Sequence, residues 1–305
     1  MPAADQTIIG RFAPSPTGAL HFGSLVAAVG SYCLARQSGG RWLLRMEDLD
    51  QPRVVPGAAD AIFRTLEMFG LYWDGEVVWQ SRRLERYQQV VEELVGRGLV
   101  FDCACTRREI LASAPHPGEE GPVYPGTCRG GIPSGRTPRA QRLKVAESGI
   151  CFHDGVFGTV EQHLATAVGD FVLRRADGIF AYQLAVVVDD YDSGVNQVVR
   201  GGDLLNSTPR QIHLCNCLGY PLPFYVHLPL AINASGAKIS KRQGARPLTA
   251  ETASSWLLAA LRFLGQEVPV ELSCAPAEEL LAWACSGFCL AAVPTAAARP
   301  PAGLE

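Results

Sequence analysis

Arg11-Phe12-Ala13-Pro14-Ser15-Pro16-Thr17-Gly18-Ala19-Leu20-His21-Phe22-Gly23-Ser24 is the stretch from which the fold is read. Residues 7–12 have strand character, and Pro14, Pro16 and Gly18 then force an irregular loop. His21-x-Gly23 opens a run of small and apolar residues, 22–35, that suits a closely packed helix. Backbone N–H groups at such a helix start attract phosphate, and the glycine lets a nucleotide come close. His21 adds a hydrogen-bond donor for a phosphate oxygen. A lone His-x-Gly is equally a capped helix with a partly buried histidine; the whole string is far more specific.

Outward from this string the chain alternates. Residues 41–46 read as a second strand, 58–69 as a helix with Ile62, Phe63 and Leu66 at helical spacing, and 84–97 as another helix. That is the rhythm of a doubly wound parallel sheet, an α/β architecture. Residues 103–150 break it, with clustered cysteines and a proline- and glycine-rich stretch at 115–138, and are expected to have little regular structure of their own. Strand character returns at 171–173, 182–189 and 228–232, with helices at 208–218 and 249–264. The Ala- and Pro-rich stretch 294–305 is expected to be a disordered tail.

The bulk numbers agree with a globular chain. Its 305 residues are 48% hydrophobic and 19% charged, enough for one large domain with an insertion or for two domains. The formal charge of -3 gives no global positive field, so a polyanion would need a local patch. No apolar run is long enough for a membrane span, and residues 1–11 lack the basic-then-apolar pattern of a signal peptide. Ten scattered cysteines suit a reducing compartment, and the cytoplasm is the expected location.

Three further groups carry chemistry. Lys238-Ile239-Ser240-Lys241-Arg242, behind Asn233-Ala234-Ser235-Gly236, sets three cations on a glycine-flanked loop that can fold over a triphosphate. Cys103-x-Cys105 and Cys128, separated by a Pro/Gly loop, can converge on a tetrahedral zinc, or be free buried thiols. Three cysteines leave a fourth ligand to find, with His116 one candidate. Arg129, Arg136, Arg139, Arg142 and Lys144 form a basic run that is either a solvated loop or a contact for RNA phosphates.

Together the first string and Lys238 to Arg242 resemble the two signatures of class I aminoacyl-tRNA synthetases, His21-Phe22-Gly23-Ser24 matching the first. Arg45-Met46-Glu47-Asp48-Leu49-Asp50 resembles the glutamyl branch. Ala181-Tyr182-Gln183-Leu184-Ala185-Val186-Val187-Val188-Asp189-Asp190 and Val199-Arg200-Gly201-Gly202-Asp203-Leu204-Leu205-Asn206-Ser207-Thr208-Pro209-Arg210-Gln211 look closest to glutamyl-queuosine tRNA(Asp) synthetases, over roughly residues 7–265. With the short stretch after Lys241, no helical anticodon-binding region of the kind a full-length glutamyl synthetase carries is expected, as in that family.

The resemblance implies a Rossmann-type class I catalytic domain with a zinc-containing insertion and a short helical C-terminal region. The expected divisions are 7–102 and 169–248 for the two catalytic halves, 103–168 for the insertion, and 249–293 for the helical region. It implies ATP with magnesium, and L-glutamate transferred to queuosine in tRNA(Asp). Glutamate would contact Arg11, Phe12, Ala13, Pro14, Ser15, Glu47, Tyr182 and Arg200. ATP would contact Ser15, His21, Gly23, Ser24 and Lys241, with His21, Lys238 and Lys241 catalytic. Tyr124 stands where the family has its fourth zinc ligand, beside Cys103, Cys105 and Cys128. A monomer without membrane contact is expected. The rivals are a shortened glutamyl-tRNA synthetase charging tRNA(Glu) or tRNA(Gln), a ligase that makes an aminoacyl adenylate without tRNA, and a zinc-stabilised RNA-binding module.

Overall fold

A computed structural model describes residues 6–114, 117–118, 121–233, 248–249 and 252–299. The chain begins with β1 (Ile9–Phe12), α1 (Phe22–Gln37), β2 (Arg41–Met46), α2 (Ala58–Met68), β3 (Val78–Trp79) and α3 (Leu84–Gly96). β2 runs parallel to both β1 and β3, with Phe12 opposite Leu44 and Met46 opposite Trp79. α1 lies close against the sheet because it is lined with small residues. A Cβ on Gly30 would stand 2.7 Å from Leu228 Cδ1. Leu25, Val29, Trp42, Leu44 and Met46 are fully buried, and two later helices, Ala253–Phe263 and Ala277–Gly287, pack on α1 and bring Leu257 and Leu280 into the same core.

The middle of the chain forms β4 (Val100–Cys103), α4 (Arg107–Ser113), β5 (Pro117–Gly118), β6 (Gly121–Pro122), β7 (Ala140–Leu143), β8 (Ile150–Asp154), β9 (Gly158–Gln162) and α5 (Leu164–Ala167). The expectation of little regular structure at 103–150 holds for the loops but misses α4 and β7. β7 is the centre of an antiparallel sheet between β4 and β10 (Phe171–Arg174), and β8 and β9 make a hairpin. α4 starts on a reciprocal cap: Thr106 Oγ1 accepts from Glu109 N–H, and the Glu109 carboxylate accepts from Thr106 N–H at 2.7 Å.

The chain continues as α6 (Tyr182–Asp192), β11 (Gln197–Gly201), α7 (Thr208–Leu218) and β12 (Phe224–Leu228), then α8 (Ala253–Phe263) and α9 (Ala277–Gly287). Residues 182–189, read as a strand, are helix instead. Their Val-rich run is β-like, but Gln183 to Asp190 are all buried, and a helix buried all round loses its amphipathic signature. The last strand ends at Leu228 rather than beginning there. In the stretch read as a disordered tail, Ala298 pairs with Ala231, and Ala298 N–H donates to Leu230 O at 3.0 Å.

β11 and β12 are parallel, with Arg200 opposite His227. β1 lies beside β11 and runs the same way. Asn196 Oδ1 accepts from Ile9 N–H at 2.8 Å, Asn196 N–H donates to Ile9 O at 3.1 Å, and further along Arg11 reaches Val199 O. Across this seam the order is β3-β2-β1-β11-β12. The direction of winding reverses between β1 and β11, and the crevice beyond the carboxyl ends of strands at such a point is where doubly wound folds bind ligands.

Candidate active site and metal centre

The strand ends deliver charge to that crevice. Arg11 is on β1, Arg45 on β2 and Arg200 on β11, each at most 5% exposed. Asp190, on α6, holds two of them: Arg11 Nε donates to Asp190 Oδ1 at 3.1 Å, and Arg45 donates to the same oxygen at 2.6 Å. Arg45 also donates to Glu47 Oε1 at 3.3 Å. Glu47 is fixed over the proline loop, since its N–H donates to Pro14 O at 3.0 Å. Burial raises the Glu47 carboxyl above the ordinary range against the pull of Arg45 and Arg11. At Asp190 burial acts the same way, but two direct arginine partners outweigh it and the carboxyl is lowered.

Arg200 is held differently. Its Nε donates to His227 Nε2 at 3.0 Å, its other nitrogens to Thr208 Oγ1 at 2.8 Å and Tyr182 OH at 3.4 Å. No carboxylate of the described residues comes within ion-pair distance of it. The structure brings Arg11, Glu47, Tyr182 and Arg200 together, with Phe12 buried and Ala13, Pro14 and Ser15 forming the loop that follows β1. Arg45, Asp190, His227 and Asp154 are site residues that the reading did not single out.

His21 is the N-cap of α1: its Nδ1 accepts from Ser24 N–H at 3.2 Å. A neutral ring that accepts at Nδ1 carries its proton on Nε2, so the cap also orients a donor. Gly23 keeps this close, as a Cβ there would stand 3.3 Å from the His21 ring. Lys238, Lys241 and the rest of their loop, and His116, lie outside the described residues.

The second site is built on the end of β4. The Sγ atoms of Cys103, Cys105 and Cys128 lie within 4.8 Å of one another. Cys105 and Cys128 are 3.6 Å apart, close to the ~3.8 Å that two thiolates ~2.3 Å from one tetrahedral ion would have. Tyr124 OH is 3.4 Å from Cys103 Sγ and 3.9 Å from Cys105 Sγ. The three thiols are thus close enough to share a single ion, with the Tyr124 phenol beside them. The Arg142 guanidinium lies 3.9 Å from the centre of the Tyr124 ring. Gly169 lets the Tyr124 segment come close: φ is +73°, and a Cβ would stand 2.4 Å from Tyr124 O.

The basic run is largely tied down. Arg129 donates to Val145 O, Arg136 to Ala104 O and Glu109, Arg142 to Asp170 O, and Lys144 to Gly98 O, each at 2.8 Å. These bonds hold the segments around the cysteines together, so the run is in large part structural.

A family model described as tRNA synthetases class I (E and Q), catalytic domain, matches residues 7–266, and the chain belongs to that family. Among solved structures, a glutamate tRNA ligase from Elizabethkingia meningosepticum in complex with its amino acid is similar at a TM-score of 0.79 and 25% identity, over 97% of this chain and 68% of that one. Curated relatives are much nearer in sequence. The glutamyl-Q tRNA(Asp) synthetase of Dechloromonas aromatica is 58% identical over 93% of this chain and 95% of its own length. That of Geobacter sulfurreducens is 54% identical over 95% of each. Within the class I enzymes the chain is a member of the glutamyl-Q tRNA(Asp) synthetase family. No described helix is long and apolar enough to cross a membrane.

Proposed function

We propose that this chain activates L-glutamate with ATP and transfers it to queuosine at the wobble position of tRNA(Asp). The observation that carries this reading is the 50–58% identity, over at least 90% of the chain, to relatives bearing the name glutamyl-Q tRNA(Asp) synthetase.

In the first step a glutamate α-carboxylate oxygen bonds to the α-phosphorus of ATP, and the bond to pyrophosphate breaks. No proton is removed from the nucleophile, so the site's work is positioning and charge stabilisation. His21, donating from Nε2 at the start of α1, is assigned to the phosphates with Ser15, Gly23 and Ser24. Lys238 and Lys241 are assigned to the charge that builds during transfer, and magnesium accompanies ATP. Arg200 and Arg11 are assigned to the substrate carboxylates and Glu47 to its ammonium, with Tyr182 beside them. Arg200 is the strongest of these assignments: it is buried, oriented and has no carboxylate partner among the described residues, which suits a cation that waits for an anionic ligand.

In the second step a hydroxyl of the queuosine ring attacks the acyl carbon and AMP leaves. The thiols of Cys103, Cys105 and Cys128 with the Tyr124 phenol are assigned to one structural zinc. With four protein ligands it would have no open position, so its part is to hold the β4 end rather than to activate a substrate.

The test offers purified enzyme, ATP and labelled glutamate to three RNAs: tRNA(Asp) with queuosine, tRNA(Asp) without it, and tRNA(Glu). Label on the queuosine-bearing RNA alone is the expected result. Label on tRNA(Glu) would make this a minimal protein-synthesis enzyme instead.

A further inference from the structure

Arg200 has an unusual neighbour for a buried cation. Its Nε–H points at a histidine nitrogen, His227 Nε2, across adjacent parallel strands. An arginine is protonated at any working pH, so Nε2 must be the acceptor, which requires the ring's proton on Nδ1. The other side of the ring supplies the reason. His227 Nδ1 is 2.6 Å from Asp154 Oδ2, and both side chains are fully buried. Asp154 is in turn fixed by the turn of the β8–β9 hairpin. Its Oδ1 accepts from Val156 N–H and Phe157 N–H, each at 3.0 Å, and from His227 N–H at 3.3 Å.

We propose that Asp154 and His227 are positioning residues for glutamate: Asp154 locks the His227 tautomer, and the locked ring aims the Arg200 guanidinium into the crevice. This rests on the reading of Arg200 as a glutamate contact. The arrangement orients Arg200 without cancelling its charge. A carboxylate directly on Arg200 would offset its charge, whereas the one carboxylate of Asp190 is shared between Arg11 and Arg45 and leaves a net positive charge there. Interposing a neutral imidazole keeps the cation available for the substrate carboxylate, while Thr208 and Tyr182 take two more of its N–H groups. Burial and the Arg200 charge lower the His227 pKa, and the Asp154 carboxyl is lowered too, consistent with a neutral ring on an ionised partner. The inference also ties the β8–β9 hairpin, outside the parallel sheet, to substrate recognition.

Asp154→Asn is the sharpest probe. An amide at Oδ2 presents a donor to Nδ1, so the ring must flip to the Nε2–H tautomer, which sets two donors face to face at Arg200. The expected result is a glutamate KM raised about 10- to 100-fold, with the ATP KM within about twofold of wild type on the same protein. His227→Gln keeps an acceptor where Nε2 was and should be milder. His227→Asn keeps only the donor to Asp154 and should match Asp154→Asn. A glutamate KM unchanged in a folded Asp154→Asn, or ATP and glutamate KM raised alike, overturns the proposal. Arg200→Lys separates the two readings. If it leaves the glutamate KM unchanged, the glutamate assignment itself fails; if it raises that KM while Asp154→Asn does not, only the relay fails. Should Asp154→Asn not fold, the 15N shifts of His227 in the wild-type enzyme decide, a proton on Nδ1 supporting the relay and a proton on Nε2 overturning it.

Discussion

Glu47 and Asp190 flank the same guanidinium, Arg45, yet are shifted in opposite directions. Asp190 has two arginine partners in hydrogen-bond contact, whereas Glu47 has a single 3.3 Å contact and is otherwise desolvated. Asp190 is thus the permanent anion of the site and Glu47 the one that responds to pH. If Glu47 holds the substrate ammonium, only its ionised form does so. Its raised pKa means that protonation begins at a higher pH than for an ordinary glutamate, near 4.3. The kcat/KM for glutamate should therefore fall on acidification with a midpoint above that value. Glu47→Gln should lower it about 10- to 100-fold and remove that limb from the pH profile; an unchanged limb would assign it to another group. Asp190 acts on stability with the opposite sign. A lowered carboxyl contributes stability that is fully present above its unfolded pKa, near 3.9, and lost as pH falls from there through the folded value. Asp190→Asn leaves Arg11 and Arg45 buried without their main partner and should cost about 3–5 kcal/mol in denaturant titrations at neutral pH. It should also flatten the loss of stability below about pH 4.

At the scale of elements, what could be read in advance depended on how local the signal was. β1, the proline loop and the start of α1 were legible because one string encodes strand, turn and helix start in sequence order. Glu47, Tyr182, Arg200 and the cysteines were legible through motifs. Asp190 and His227 were not: Asp190 meets Arg45 across 145 positions, and nothing local at His227 indicates that Arg200 will stand opposite it. α6 was misread because tertiary burial of its whole surface removes the periodicity that marks a helix. In the β4–β7–β10 sheet only β10 was read in advance, while β4 and β7 were hidden by loops of proline and glycine around short strands; if the thiols hold zinc, this sheet is the element most dependent on the ion. Its core partners near the thiols are few: Ala104, Ile110 and Tyr124 with the cysteines themselves. Chelation or Cys128→Ser should therefore lower Tm by several degrees and increase amide exchange in β4 and β7 first, before the parallel sheet is affected. Gly169→Ala should do the same with the ligands intact, since an added Cβ collides with Tyr124 O in a left-handed backbone. A metal content near wild type in that variant together with unaltered exchange would show that Tyr124 is held by its ion rather than by the Gly169 turn.

Over the whole molecule, the crevice has two walls contributed by different halves of the chain, and Asn196 ties their strands together where β11 begins. Asn196 accepts from Ile9 N–H through Oδ1 and donates to Thr7 O through Nδ2 at 2.9 Å, while its own backbone bonds to both Ile9 and Phe224. It does with a side chain what a ladder of backbone bonds does between β1 and β2. Asn196→Ala keeps the backbone bonds but leaves the Ile9 amide without its acceptor, a cost of about 1–3 kcal/mol. If Arg11 on β1 and Arg200 on β11 both grip the substrate, as proposed, the consequence extends beyond stability, because the substrate then senses any change in their spacing. Asn196→Ala should accordingly lower Tm and raise the glutamate KM severalfold, with bound metal unchanged, since the thiols are on neither strand. If Tm falls and the glutamate KM stays put, the spacing of the two walls is set inside the crevice, by Asp190 and Val199 O acting on Arg11, and the seam serves stability alone.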